Sequence, residues 1–412
     1  MKLLLVSPFL PSARSPHGGG RLLFEMIERF GRRHQVGLLA FSDPRATPGA
    51  EEEVRPLCWF LKAIPKDIYH LPRRARLASL LTPVPSWFLQ TDSAVMRSSL
   101  REEIANRAPD VVQIEFLGMA HYVDGISHPR VVLNIHEVFG RTWLRRALEY
   151  RRSPLLPYVL WDHRKLARRE RELIGRFRAV LALSEEDRRY LLAANPGAPV
   201  RHWSPGICPA PARVGPGPRG DEGGRLLFVG SFSHGPNVDA VRFFCRRILP
   251  GVRGRQPGVV LDIVGAEPPA AVLALRGERV FVHGYVEDLN PFYEKADVVV
   301  VPVRFGGGVR IKLLDALARG VPVVSTVLGA EGIRGLDGEH LFVARDAEAF
   351  ASRVHRLLSD PGLRRAMGRK ARELAEGEHG WPKAVERLEA FYEEILGAAP
   401  GQAGGRRGPL LL

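Results

Sequence analysis

"ADVVVVPVRFGGGVRIKLLDALARGVPVVST" runs from Ala296 to Thr326. Its two ends, Val298 to Val303 and Val321 to Thr326, are apolar without alternation, the pattern of strands covered on both faces of a parallel sheet. Between them Ile311, Leu313, Leu314, Leu317 and Ala318 recur at helical spacing and fill a wide apolar arc, which leaves Lys312, Asp315 and Arg319 on the other face. The segment reads as strand, glycine loop, buried helix, strand. Two residues sit oddly in that pattern. Arg310 and Lys312 stand in the first turn of the helix, where the helix dipole favours anions. An i, i+3 surface pair between Lys312 and Asp315, with a stabilisation of about 0.2 to 0.5 kcal/mol, would account for Lys312. It leaves Arg310 unexplained. A bound diphosphate would pair with both cations and accept the free first-turn amides.

The same grammar extends in both directions. "KLLLVSPFL" (Lys2 to Leu10) reads as a strand, "RLLFEMIERFGRRH" as a helix and "QVGLLAF" as the next strand. Further strands are expected at "DVVQIEF", "VVLNIHE" and "AVLALS"; the last runs into a helix that opens with Ser184 as N-cap and an acidic first turn. From Cys208 to Gly224 the chain is nearly all Pro, Gly, Ala and charge, the composition of a linker. Regularity resumes at "RLLFVGS" (Arg225 to Ser231), with strands at "VVLDIVG", "VFVHGYV" and the two Val-rich runs above. Strands alternating with helices on each side of a linker imply an α/β protein of two Rossmann-like domains. The expected boundaries are 1–207 for the first domain, 208–224 for the linker and 225–381 for the second domain. A C-terminal helix over 382–397 could pack on either domain, and a disordered tail is expected over 398–412.

Composition narrows the class of function. The chain has 412 residues with 45% hydrophobic, enough for two cores. No apolar run approaches the 18 or so residues of a membrane span, and Pro8 and Pro11 interrupt the one stretch that imitates a signal peptide. A cytoplasmic protein is therefore expected. The three cysteines have no paired spacing, which argues against a disulfide framework or a zinc site. The net charge of +15 is uneven: Arg141 to Arg178 carries twelve Arg or Lys against four acids, mixed with Trp143, Leu144, Leu155, Leu156, Tyr158 and Trp161. Such a segment can lie on an anionic membrane surface, or it is simply a solvated helical face. Nucleic acid is unlikely as a partner, because no recognition motif accompanies the charge.

In open parallel sheets ligands bind beyond the carboxyl ends of the strands. Three loops there carry candidate chemistry. "SPFLPSARSPHGGGR" ends in Gly18, Gly19 and Gly20 just ahead of a helix, where bare backbone can approach an anion; the spacing is not G-x-G-x-x-G. "VGSFSHGPNVDAVRFF" offers Ser231, Ser233 and Asn237 near a helix start, as ligand groups or plain N-caps. The third is the glycine loop with Arg310 and Lys312.

The order of "GGGR", "PDVVQIEF", His136–Glu137, "ALSEED", "PGI", "LLFVGSFSHGPN", "VHGYVEDLNPFYEKADVVVVP", "GGGVRIKLLDALARGVPVVST" and "GAEG" resembles the retaining, family 4-like GT-B glycosyltransferases (glycosyl transferases group 1). The resemblance spans Met1 to about Leu396. It implies two Rossmann-like domains facing across a cleft, with a nucleoside-diphosphate sugar (UDP- or GDP-sugar) on the second and a glycan or lipid-linked acceptor on the first. It also implies Arg310 and Lys312 on the diphosphate, with Gly307 and Gly308 in the loop around it. Asp315 is implied on the ribose, Val286 at the base, Glu331 near the donor and His136 by the transferred sugar. Members often have two glutamates eight apart here; the second falls on Asp315 and the first on Gly307, where the carboxylate is missing. The implied chemistry is a same-face transfer that needs no metal, and the chain contains no Asp-x-Asp pair. The leaving phosphate would take the acceptor's proton, and the product would belong to a cell-envelope or exopolysaccharide glycan made at the cytoplasmic face of the inner membrane. Two alternatives remain: a sugar-nucleotide epimerase of the same fold, and a non-catalytic, basic, membrane-associated scaffold.

Overall fold

The structure is a computed structural model describing residues 1–15, 18–43, 48–68, 79–142, 154, 156–207 and 223–397. The tail expected over 398–412 lies outside the described residues, as does the linker apart from Gly223 and Gly224. The chain divides into two compact units, Met1–Ser204 with Val385–Leu412, and Pro205–Ala384.

Unit 1 is built on a seven-stranded parallel sheet. Its strands are β1 (Lys2–Ser7), β2 (Gln35–Ser42), β3 (Phe60–Pro65), β4 (Val111–Glu115), β5 (Val131–Ile135), β6 (Ala179–Ala182) and β7 (Val200–His202), in the order β3-β2-β1-β4-β5-β6-β7. Unit 2 carries a six-stranded sheet of β8 (Arg225–Val229), β9 (Val260–Val264), β10 (Val280–Gly284), β11 (Val298–Val301), β12 (Val323–Thr326) and β13 (Phe342–Ala344). Its order is β10-β9-β8-β11-β12-β13. Each sheet has its own apolar core, and β4, β5 and β11 are buried at every position, as strands covered on both faces of a parallel sheet must be. Sequence reading missed β3, β7 and β13. β7 and β13 are three-residue strands, and β3 is only half-buried.

Six helices carry or support the candidate groups: α1 (Gly18–Phe30), α2 (Leu156–Ile174), α3 (Glu185–Ala194), α4 (Gly235–Phe243), α5 (Ile311–Ala318) and α6 (Trp381–Gly397). Ser184 caps α3 as its sequence suggests, accepting the Asp187 amide at 3.1 Å. The chain passes from unit 2 into unit 1 within α6. At the start of α6, Trp381 is buried, and beside it the Ile207 amide donates to the His379 carbonyl at 2.7 Å. Further along, Glu389 lies 2.9 Å from His34, and Tyr392 meets Phe30 edge-on at 5.5 Å.

Candidate active site

Both sheets reverse direction once, between β1 and β4 in unit 1 and between β8 and β11 in unit 2. At such a switch point the loops of adjacent strands diverge and leave a crevice.

In unit 2 the loops after β8 and β11 meet at that point. Lys312, in the first turn of α5, donates to Asn237 Oδ1 at 2.5 Å, while Asn237 Nδ2 donates to the Ser231 carbonyl at 2.7 Å. The ammonium also sits 4.7 Å from the centre of the Phe228 ring. A side chain at Gly230 would displace the pair, since its Cβ would fall 2.6 Å from Lys312 Nζ and 2.8 Å from Asn237 Cγ. This confinement desolvates the ammonium, and with Arg310 nearby its pKa falls to about 7. Arg310 occupies the N-cap position of α5 without capping it, and donates from Nη1 to the Gly307 carbonyl. Gly306 and Gly308 hold φ of 103° and 73°, a region that penalises any side chain; Gly307 is outside it. Two cations and the amino end of a buried helix thus share one polypeptide turn, the arrangement of an anion site.

Asp315 lies 3.9 Å from Arg319, so the Lys312–Asp315 surface pair does not form. Nor do Ser233 or Asn237 cap α4: its N-cap is His234, and Ser233 bonds to Ser231 at 2.8 Å. Val286 and Glu331 follow β10 and β12 and so share the carboxyl edge of the sheet.

In unit 1, His136 follows β5 and is 8% exposed. Its Nε2 lies 2.8 Å from Glu115 Oε2, and Asn134 Nδ2 donates to the same oxygen at 3.0 Å. A carboxylate only accepts, so the ring nitrogen facing it carries the proton. Phe116 stacks on the imidazole at 3.8 Å between centroids. It does so from a φ of 65°, a conformation that costs a non-glycine residue of order 1–3 kcal/mol. The glycine triplet explains the space: a Cβ at Gly19 would fall 2.8 Å from Phe116 Cζ and 3.5 Å from His136 Nδ1. Gly19 therefore lets the amino end of α1 lie against the His136–Phe116 stack. Glu115 went unnoticed in the sequence, although a glutamine and a glutamate alternating in the otherwise apolar "VVQIE" signal buried polar groups.

The turn after His136 is held from below. Glu170 of α2 accepts the amides of Phe139 at 2.9 Å and Gly140 at 3.4 Å, and burial lifts its carboxyl to about 7. Gly140 leaves room there for both side chains, since a Cβ would lie 2.6 Å from the Tyr190 hydroxyl and 2.9 Å from Glu170 Oε1. Part of the basic stretch from Arg141 to Arg178 is neutralised internally: Lys165 and Asp162 pair in a buried position at 3.2 Å, Arg168 and Arg169 share Glu172, and Arg141 meets Asp187. Residues 143–153 and 155 of that stretch lie outside the described residues.

Two family models match consecutive parts of the chain: Glycosyltransferase Family 4 over residues 16–210 and Glycosyl transferases group 1 over residues 223–360. The chain belongs to the family 4, group 1 glycosyltransferases. A relative in this glycosyltransferase family is the GDP-mannose-dependent alpha-(1-6)-phosphatidylinositol monomannoside mannosyltransferase of Mycolicibacterium smegmatis, 34% identical over 158 residues. That match covers 34% of the chain and 41% of the relative, so the glycosyltransferase chain spans under half of that relative's length. The sucrose-phosphate synthase of Thermosynechococcus elongatus has the same GT-B fold, with a TM-score of 0.70, 16% identity and coverage of 97% of this chain and 100% of the other. Anabaena HepE, solved in complex with UDP and glucose, has a TM-score of 0.64 at 13% identity, covering 96% and 100%. The two parallel-sheet α/β domains read from the sequence are thus found, in a chain structurally similar to GT-B glycosyltransferases.

Proposed function

We propose that the protein transfers a sugar from a nucleoside-diphosphate sugar to a glycan or lipid-linked acceptor of the cell envelope or an exopolysaccharide. The observation that carries this reading is the convergence of Arg310, Lys312 and the amino end of α5 on one glycine-lined turn at the unit 2 switch point. As the glycosyl bond breaks, negative charge grows on the departing diphosphate, and preorganised cations and amides stabilise it without reorganising. Lys312, with a pKa near 7, is poised to take up its proton as that charge arrives. Gly307 and Gly308 leave the approach bare, Asp315 is assigned to a ribose hydroxyl, and Val286, Glu331, Ser231 and Asn237 to the rest of the donor.

Unit 1 is assigned the acceptor. His136, its Nε2 proton on Glu115, is assigned to the transferred sugar, and Gly18, Gly19 and Gly20 to the bare backbone beside it. Transfer proceeds with retention by same-face attack, the leaving phosphate taking the acceptor's proton, and requires no metal. The donor nucleotide is UDP or GDP: HepE supports the former and the mannosyltransferase the latter. Incubation with UDP-, GDP- and ADP-sugars, scoring transfer, hydrolysis and epimerisation, with the product anomer read by NMR, tests the reading. Epimerisation without transfer would replace it with the epimerase, and inertness toward every donor with the scaffold.

A specific observation favours work at an anionic membrane surface. On α2, Leu160 and Trp161 are exposed, followed at helical spacing by exposed Arg164, Arg168 and Arg171. Leu81, 90% exposed, lies two residues beyond Ser79, whose hydroxyl approaches Tyr158 of α2 at 3.4 Å. No helix among the described residues is long and apolar enough to cross a membrane. Sedimentation with anionic vesicles should fall with added salt and with Trp161→Ser. Equal sedimentation with neutral vesicles would contradict it.

A further inference from the structure

Behind Glu115 the polar chain continues into the core of unit 1. Gln113, two residues earlier on β4, donates from Nε2 to Glu115 Oε1 at 2.6 Å, and the Tyr392 hydroxyl of α6 donates to Gln113 Oε1 at 2.5 Å. Tyr392, Gln113 and Glu115 are all 0% exposed and Asn134 is 1% exposed. Three polar side chains in series, sealed from water, are an expensive arrangement, and two of them stand on a strand whose other residues are aliphatic.

Each link allows one orientation. A carboxylate faces Gln113, so the amide must present its NH₂ to Glu115 and its oxygen to α6, where only a donor suits it. The Tyr392 hydroxyl is that donor. Burial and the nearby Glu115 charge raise the Tyr392 pKa well above its ordinary value, which keeps the hydroxyl protonated. Glu115, with Oε1 committed to Gln113, turns Oε2 to Asn134 and His136. The imidazole is left with its proton on Nε2 and its Nδ1 toward Gly19 and the amino end of α1.

We infer that Tyr392, Gln113 and Glu115 form a positioning relay through which the C-terminal helix sets the tautomer and orientation of His136. The inference rests on the assignment of His136 to the transferred sugar, and it adds a positioning role for residues far along the chain. Tyr392 lies 279 residues from Gln113 and touches none of the proposed substrate groups.

Ring-¹⁵N histidine labelling of the full chain reads the relay without any substrate, with a His136→Asn spectrum identifying the signal. In wild type the His136 proton is expected on Nε2. In Glu115→Gln, Gln113 still demands an oxygen at the Oε1 position, so the new NH₂ faces His136 and the proton should move to Nδ1. Adding Tyr392→Phe frees the Gln113 amide to invert, so the double variant should regain a population protonated on Nε2. The Tyr392→Phe single variant, a conservative change, should shift the His136 resonances while circular dichroism remains that of the folded chain. An unchanged tautomer in Glu115→Gln, or a double variant identical to the single one, overturns the relay. With an active donor, Glu115→Gln should lower kcat by about a hundredfold and leave the donor KM nearly unchanged, the mark of a misplaced group. A tautomer switch in a protein inert toward every donor would sink the transfer reading and leave the relay standing. Transfer with an unmoved tautomer would do the reverse.

Discussion

Lys312 gives its ammonium to Asn237 Oδ1, 2.5 Å away in the first turn of α4, and not to Asp315 on its own helix. A lysine spent on a helical surface pair would be solvated; this one is half-buried and partly desolvated beside a second cation. That is a destabilising arrangement in the free protein, and it becomes favourable when an anion arrives.

Nucleotide binding is thereby linked to a proton. The free Lys312 titrates near 7, and a bound diphosphate must raise that value. Below pH 7 the ammonium is charged in both states, so affinity is level. Between pH 7 and the bound pKa, binding takes up a proton and affinity falls as pH rises. Titration calorimetry of UDP and GDP at pH 8 in buffers of different ionisation enthalpy should register the uptake, and Lys312→Arg should abolish the uptake while keeping the binding. Absence of uptake in wild type contradicts this role for Lys312.

Gly19→Ala would drive a methyl group to within 2.8 Å of Phe116 Cζ. Overpacking of this kind costs roughly 1–3 kcal/mol. The urea midpoint should drop accordingly, and Phe116→Leu in the same chain should recover part of the loss. Strict additivity of the two changes would show that they do not meet.

Gly306 and Gly308 have positive φ whereas Gly307 does not. Alanine at either of the first two should cost about 1–2 kcal/mol through backbone strain. Gly307→Ala should cost less. Equal losses at all three positions, measured by thermal unfolding, would refute the conformational explanation.

Glu170 has a carboxyl raised by burial to about 7 from an ordinary 4.5. The folded state therefore holds a proton that the unfolded chain has released, and stability declines as pH rises from 4.5 through 7, then levels off. Over that window the wild type should lose on the order of 3 kcal/mol relative to Glu170→Gln. Parallel stability curves for the two proteins would remove Glu170 from the pH dependence.

Much of the architecture was readable because buried parallel strands have no polar alternation to confuse them and their loops bear glycines and cations. Arg310 stood out because a helix start disfavours cations, and the structure puts it in the turn the sequence pointed to. The surroundings of His136 were harder to read. Glu115 and Gln113 lie in one strand, but their partners Asn134 and Tyr392 come from β5 and α6, and only the folded chain brings them together. Phe116 was invisible for a different reason, since nothing in "QIEFLG" signals a non-glycine residue at positive φ. The short strands β7 and β13 escaped because three residues carry too little periodicity to register.

The proposed transfer stands or falls on whether the turn from Gly306 to Lys312 holds a nucleoside diphosphate. Calorimetric titration of UDP and of GDP into the wild-type chain and into Arg310→Ala decides it. Wild type should bind at least one nucleotide saturably, and Arg310→Ala should bind it about tenfold or more weakly, as loss of a charge-assisted contact of roughly 1.5–3 kcal/mol implies. Equal affinity in the two proteins, or no binding of either nucleotide by wild type, would refute the diphosphate site.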